Sequence, residues 1–234
     1  MIHLNLLFIL LLITLLARYI VNEAFEPEIF AMTFLFPVAA LVLYVIGKRF
    51  EVRERNYQPD GIAGWSFYNI QKLFMIRKPL FKEKEKRGYI KRYFQQKWQY
   101  IIADIFGSHW YLSLEILIDE DLYDMRWYRE KWFTQQDRWK IYKNGELVGD
   151  ARTLINWKNT TKLKEVLEYR FDEQSYKSAA STVTSTISLT HGDQVAGSLK
   201  RNHLMSGIQV IDTQEDRPEC IVALILHSYY FKGK

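Results

Sequence analysis

The polar and apolar positions of this chain fall into three regimes. From Leu4 to Val21 the residues are almost all apolar, with Asn5 near one end and Arg18 near the other. From Ile29 to Gly47 no residue is charged. A helix rises about 1.5 Å per residue, so about 20 apolar residues cross a hydrocarbon layer roughly 30 Å thick. The pattern therefore predicts a transmembrane helical hairpin over residues 1–49, with spans at about 4–21 and 29–47. Pro37 lies inside the second stretch and can kink it. The competing reading of the first stretch is a cleaved signal peptide. Against it, only His3 precedes the apolar run as a basic group, and no small-x-small cleavage site follows. A buried helical hairpin in a soluble fold is the remaining alternative.

Residues 50–64 read as a polar juxtamembrane connector with a turn at Pro59-Asp60-Gly61. From residue 65 to 234 the pattern becomes that of a single β-rich domain. Lys97–Phe106, Trp110–Asp119 and Leu122–Tyr128 read as strands, the last two separated by an acidic turn. Arg138–Lys143 and Glu146–Ala151 flank Asn144-Gly145, a pair that favours a type I′ hairpin turn because both residues accept positive φ. Leu163, Glu165, Leu167, Tyr169 and Phe171 share one parity of an alternating run. Ser181–Thr190 and Val195–Lys200 read as two further strands around His191-Gly192-Asp193. Short strands at such spacing predict a sandwich or barrel.

The final segment differs. Asp216 can cap a helix, Pro218 suits its first turn, and Glu219 complements its positive end. Cys220 to Leu226 and the following His227, Ser228, Tyr229, Tyr230 and Phe231 would then form a helix that is apolar nearly all round. It is too short to span a bilayer, so protein must surround it. The pattern predicts a closed antiparallel barrel around a hydrophobic C-terminal helix. A final buried strand is the alternative, since the same residues suit sheet.

Charge adds an orientation. The loop between the apolar stretches holds Glu23, Glu26 and Glu28 and no base, whereas Lys48, Arg49, Arg53 and Arg55 follow the second stretch, broken by Glu51 and Glu54. Bases near a span end favour the cytoplasmic side. Both termini and the β-rich domain are thus expected in the cytoplasm of a multi-pass cell-membrane protein. The single cysteine, Cys220, excludes an internal disulfide framework and suits a reducing compartment. Paired-cysteine spacings for structural zinc are absent.

The strongest local chemical signal is a basic run. Arg77, Lys78, Lys82, Lys84, Lys86, Arg87, Lys91 and Arg92 outnumber Glu83 and Glu85 and alternate with aromatics. Bases held near an anionic leaflet each contribute about 1 kcal/mol before screening. The run reads either as a lipid-binding patch of Lys82, Lys84, Lys86, Arg87, Lys91 and Arg92 or as a solvated turn between two early strands. Nucleic acid is not an expected partner, because no RNA-binding signature appears. Asp119, Glu120, Asp121 and Asp124 lack the glycine and distal glutamate of a calcium loop and read as a turn. The histidines His3, His109, His191, His203 and His227 form no zinc-protease pattern, and His227 reads as a hydrogen-bonded core group. No nucleophile elbow or phosphate-binding glycine loop occurs. No catalytic residue, cofactor or metal is expected.

Taken together, the strand-rich run from about Ile70 to Val210, the Ile221–Phe231 segment and the Trp139–Gly149 hairpin resemble the tubby C-terminal-like superfamily, which includes LURP-one-related proteins and phospholipid scramblases. The resemblance implies a barrel of about twelve strands around a central helix. It also implies a membrane-associated binding module, with phosphoinositide or anionic-lipid contact as a family theme. It implies no catalytic residues, and the N-terminal helical hairpin departs from it. The resulting expectation is a membrane-anchored, non-enzymatic module contacting anionic head groups of the inner leaflet. The alternative is a scaffold that docks a protein partner through exposed aromatics, Trp127, Tyr128 and Trp132.

Overall fold

The computed structural model describes residues 2–23, 25–130, 136–154, 164–172, 174–181, 186–203, 206–214 and 216–231. Leading the chain are α1 (Ile2–Asn22), α2 (Pro27–Thr33) and α3 (Leu35–Arg55). Both predicted spans are helical, and α1 packs along α3 through contacts such as the Phe8–Phe34 ring pair at 5.4 Å. They are long and apolar enough to cross a membrane. No residue of α1 is buried, so the hairpin does not lie in a protein core.

The second span departs from the expectation twice. It breaks at Phe34, and Pro37 explains why: its ring nitrogen cannot bond the Thr33 carbonyl four residues back. It also continues past Gly47 to Arg55, so the first residues of the expected connector are helical. Glu51 supports that extension by pairing with Lys48 at 2.7 Å and Arg55 at 3.0 Å.

Twelve strands follow: β1 (Trp65–Tyr68), β2 (Arg77–Lys82), β3 (Glu85–Tyr93), β4 (Ser113–Ile118), β5 (Asp121–Tyr128), β6 (Arg138–Lys143), β7 (Glu146–Thr153), β8 (Lys164–Phe171), β9 (Gln174–Ser181), β10 (Ile187–His191), β11 (Gln194–Arg201) and β12 (Ile208–Thr213). They form a closed antiparallel meander. Closure is made by β1, whose Trp65 pairs with Lys82 of β2 on one side and Ile211 of β12 on the other. The Asn144-Gly145 turn has φ of 51° and 92°, as its sequence requires.

Two strand assignments are corrected. Lys97–Phe106 is a helix, α4, because Gln96 and Gln99 cap its first turn reciprocally and Gly107 ends it. Ser181–Thr190 is not one strand: Ser181 ends β9, Ile187 starts β10, and residues 182–185 lie outside the described residues, as does Leu163.

The last helix, α5 (Pro218–Tyr230), fills the barrel, and every residue from Cys220 to Tyr230 is buried. Burying one Leu or Ile side chain stabilises by about 1.5–3 kcal/mol, and α5 buries several at once. Tyrosines of the wall present apolar rings to α5 and polar tips to its backbone and acids. Tyr169 donates to the Ala223 carbonyl at 2.9 Å, and Tyr123 donates to Glu219 at 3.2 Å. Asp216 does not cap the helix. It bonds Lys82 at 2.5 Å and the Trp65 indole at 3.3 Å, and the N-cap is Arg217.

A strand meander closes only if it bends. Three hairpins, β2–β3, β6–β7 and β10–β11, carry a register shift at corresponding places, followed in each case by a glycine: Gly88, Gly149 and Gly197. The backbone of the next strand approaches each of them closely. A Cβ on Gly88 would overlap the Leu117 carbonyl, and one on Gly149 the Arg170 carbonyl. Bulge plus glycine is thus the repeated corner device. Gly88→Ala and Gly149→Ala should each destabilise the barrel by about 2–3 kcal/mol, the cost of overpacking against backbone. Thermal unfolding of the detergent-solubilised protein reads this out, and midpoints unchanged from the parent would contradict it.

Candidate functional site

The barrel has two dissimilar ends. α3 meets one of them, hereafter the near end, where the chain holds β1's last residue, β2's first, α4 and the C-terminus of α5. The far end holds the hairpin turns after β2, β6 and β10 and the start of α5.

The junction at the near end is built on Glu54. This carboxylate is completely buried, and one of its oxygens accepts the N–H groups of Ile70 and Gln71, each at 2.7 Å. Its other oxygen lies 3.0 Å from the Lys78 ammonium. Lys78, also fully buried, donates in addition to Asn69 Oδ1 at 2.6 Å and the Gln71 carbonyl at 2.8 Å. The ammonium thus makes two hydrogen bonds and one ion pair. Burial pulls Lys78 down to about 8, against the opposing pull of the Glu54 carboxylate. Just beyond α3, Tyr57 packs on Tyr68 and Phe81 and donates to Ser66 at 3.1 Å. The end of α3 is thereby fastened to β1, β2 and the loop between them.

Arg92 performs a similar task on the other side of the near end. Its guanidinium donates to the carbonyls of Lys72, Ser108 and Trp110, tying the loop between β1 and β2 to the segment after α4. A cleft of about 260 Å³ opens beside α5, lined by Asn69, Lys72, Arg201, Gln209, Ser228 and Phe231 among others. Lys72 is lowered to about 8 by burial and then by Arg201, and it donates to the Phe231 carbonyl at 2.7 Å. The lining carries two bases, Lys72 and Arg201, and the Glu165 carboxylate acts on Lys72 in the opposite sense to Arg201. Inside the barrel, His227 bonds Ser178 through Nδ1 at 2.5 Å. Burial and then Lys72 lower its pKa to about 3, as befits a core group.

The structure does not gather the sequence-predicted lipid contacts at this end. Lys82 lies four residues beyond Lys78 on β2, about 13 Å away at strand rise. Lys82, Lys84, Lys86 and Arg87 surround the far-end turn, where Lys82 pairs with Asp216 and Arg87 with Asp119 at 2.5 Å. The reading of this run as a turn between two early strands describes that hairpin. Lys91, opposite Arg77, is half-buried on the near half of β3. Arg92 is a correction: it has no exposed surface and cannot reach a head group from outside. Trp127 and Tyr128 are also half-buried rather than exposed. Trp127 donates to Asp137 at 3.0 Å and stacks edge-on with Tyr111, and Trp132 lies outside the described residues. Of the acidic cluster, Asp119 and Glu120 form the turn while Asp121 and Asp124 lie on β5, and no group of metal-ligating side chains occurs among the described residues.

Sequence reasoning missed Glu54, Lys78 as its partner, and α4. Glu54 has no local signature, because the groups it meets lie 16 to 24 residues further on. For α4 a signal existed in the Gln96/Gln99 spacing and the following Gly107.

A family model described as Tubby C-terminal like domain matches residues 70–233, most of the chain and nearly all of the barrel. The chain belongs to the Tubby C-terminal like family. The match begins after β1, although β1 closes the Tubby-like barrel. No curated protein and no solved structure matches the chain.

Removing one partner of a buried pair leaves an uncompensated charge. Glu54→Ala should cost about 3–5 kcal/mol, and Glu54→Leu combined with Lys78→Met should recover most of that. Denaturation midpoints in detergent of these variants and of the single Glu54→Leu and Lys78→Met variants measure it, and an additive double variant would refute the coupling. His227 supplies a separate pH test. Its folded pKa lies below the unfolded value, so the unfolded state takes up the proton first and stability falls as pH drops from about 6.5 towards 3. His227→Gln should flatten that acid limb in unfolding curves measured across this range.

Proposed function

We propose that this chain is a double-spanning membrane protein whose Tubby-like barrel is a non-enzymatic module that meets anionic lipid head groups of the inner leaflet. The observation that carries the reading is the Glu54 junction: an apolar helix passes without a break from Leu35 into a buried, ion-paired attachment to the barrel. A barrel held this way has one end fixed at the membrane. The start of α1 supports the same geometry, since the Ile2 N–H donates to Asp104 of α4 at 2.8 Å. The near end therefore carries both outer helix ends. The acidic loop lies a helix length away, about 32 Å for 21 residues.

Charge then selects the side. Exposed Lys48, Arg49, Arg77 and Lys97 belong to the near end, and Glu23, Glu26 and Glu28 to the loop or its edge. Bases beside a span favour the cytoplasmic face. These four bases replace the far-end lysines as the proposed lipid contacts, and the cleft with Lys72 and Arg201 adds further positive potential. The interior offers support for binding over chemistry, since α5 fills it. Docking of a protein through Trp127 and Tyr128 gains no support, because both are half-buried.

In intact cells, a C-terminal tag should resist external protease until the membrane is permeabilised; digestion from outside would overturn the orientation. In nanodiscs of mixed composition, full-length protein should enrich a fluorescent anionic lipid. Arg77→Gln with Lys97→Gln should lower that enrichment at low salt by up to about 30-fold, at about 1 kcal/mol per base, while Lys84→Gln with Lys86→Gln should leave it unchanged. The opposite ranking would return the contact to the far-end hairpin.

A further inference from the structure

The near end exposes apolar side chains that the barrel could have covered. Beyond α3, the exposed large apolar residues among the described ones are Ile70, Met75, Trp98, Ile101, Ile105 and Phe106, together with Leu147 and Val195 on far-end hairpins. Four of them belong to α4, which is 10 residues long. Trp98 is 49% exposed, Ile101 44%, Ile105 37% and Phe106 61%, whereas Gln99 and Ala103 on its other face are buried. Residues 98, 101 and 105 recur at helical spacing and so form one stripe.

We propose that α4 is an interfacial helix, lying in the plane of the bilayer with this stripe sunk into the head-group boundary. The proposal rests on the membrane-spanning reading above and adds a third membrane contact to the two spans. The occupant is identified by continuity with those spans. Asp104 of α4 accepts the Ile2 N–H of α1's first turn. Tyr100 of α4, with Phe74 and Met75, shares a cleft of about 280 Å³ with Tyr44 and Lys48 of α3. Tyr44 and Lys48 straddle the point where α3 leaves its apolar stretch, which is the level of the bilayer surface. α4 is held at that depth. Its length excludes spanning. An exposed Trp and a flanking Lys97 are what an in-plane amphipathic helix presents at such a boundary. The Glu54 junction sets which end of the barrel faces the bilayer, and the α4 contact adds a second point beside it that holds Arg77 and the Lys72 cleft towards head groups.

The test uses full-length protein in liposomes, with the environment-sensitive fluorophore NBD attached to single cysteines at positions 43, 84 and 101. Cys220 is buried, and the parent protein serves as the labelling control. With Ile101→Cys, NBD should emit to the blue of the Lys84→Cys probe and lose intensity with lipids spin-labelled near the head group. The Leu43→Cys probe should be quenched by lipids labelled deep in the acyl chain. If position 43 is quenched and position 101 emits as in water, α4 is not interfacial while the spans stand. If position 101 is blue-shifted yet unquenched by any labelled lipid, protein covers the stripe and the proposal fails. If position 43 is not quenched, the spanning reading fails and takes the proposal with it.

Discussion

A thirteen-residue helix without a polar side has to be kept from water, and this constraint organises the whole domain. The sheet curls into a closed ring because only a ring covers a helix on every side. Closure requires corners, which the bulge-and-glycine pairs at Gly88, Gly149 and Gly197 supply. It requires wall residues with apolar bodies and polar tips, which Tyr123 and Tyr169 supply at the two levels where α5 offers a carboxylate and a carbonyl. The ring also leaves no open sheet edge, so pairing with other chains is suppressed as a by-product.

Among the described residues the interior of the ring is occupied by its own helix, which leaves the ends and the outer surface as the faces open to contact. The two ends differ in kind. The far end is a set of short turns with paired charges, such as Lys82 with Asp216 and Arg87 with Asp119. The near end is irregular, spans 69–76 and 94–112 in addition to α4, and is held by two buried cations, Lys78 and Arg92, acting mainly on backbone carbonyls. Buried charges of this sort contribute little net stability against an apolar alternative, but they define one arrangement among many. Here they define how α3 meets the barrel.

That rigidity is what gives the proposed function its geometry. A flexible linker would let any face of the barrel meet a membrane. The Glu54 attachment permits one, and the exposed apolar stripe of α4 lies on it. On the proposed reading membrane affinity need not be high, since the spans would confine the domain near the surface. What the near end would contribute is orientation and selectivity for head groups.

The sequence by itself determined the two apolar helices, the barrel class, the type I′ turn at Asn144-Gly145 and the buried terminal helix, because each is written in local periodicity or in a turn residue's φ preference. It misplaced α4, whose aromatic and β-branched residues suit a strand until the Gln96–Gln99 cap is weighed. It also grouped Arg77 to Arg92 as one patch because those bases are neighbours along the chain. A hairpin folds such neighbours onto opposite ends and faces, so Lys84 points to the far end while Lys78 and Arg92 turn inward. Only the tertiary structure decided this, together with the meeting of Glu54 and Lys78. Burial and charge pairing depend on what lies across space, and residues 24 apart carry no local mark of having to meet.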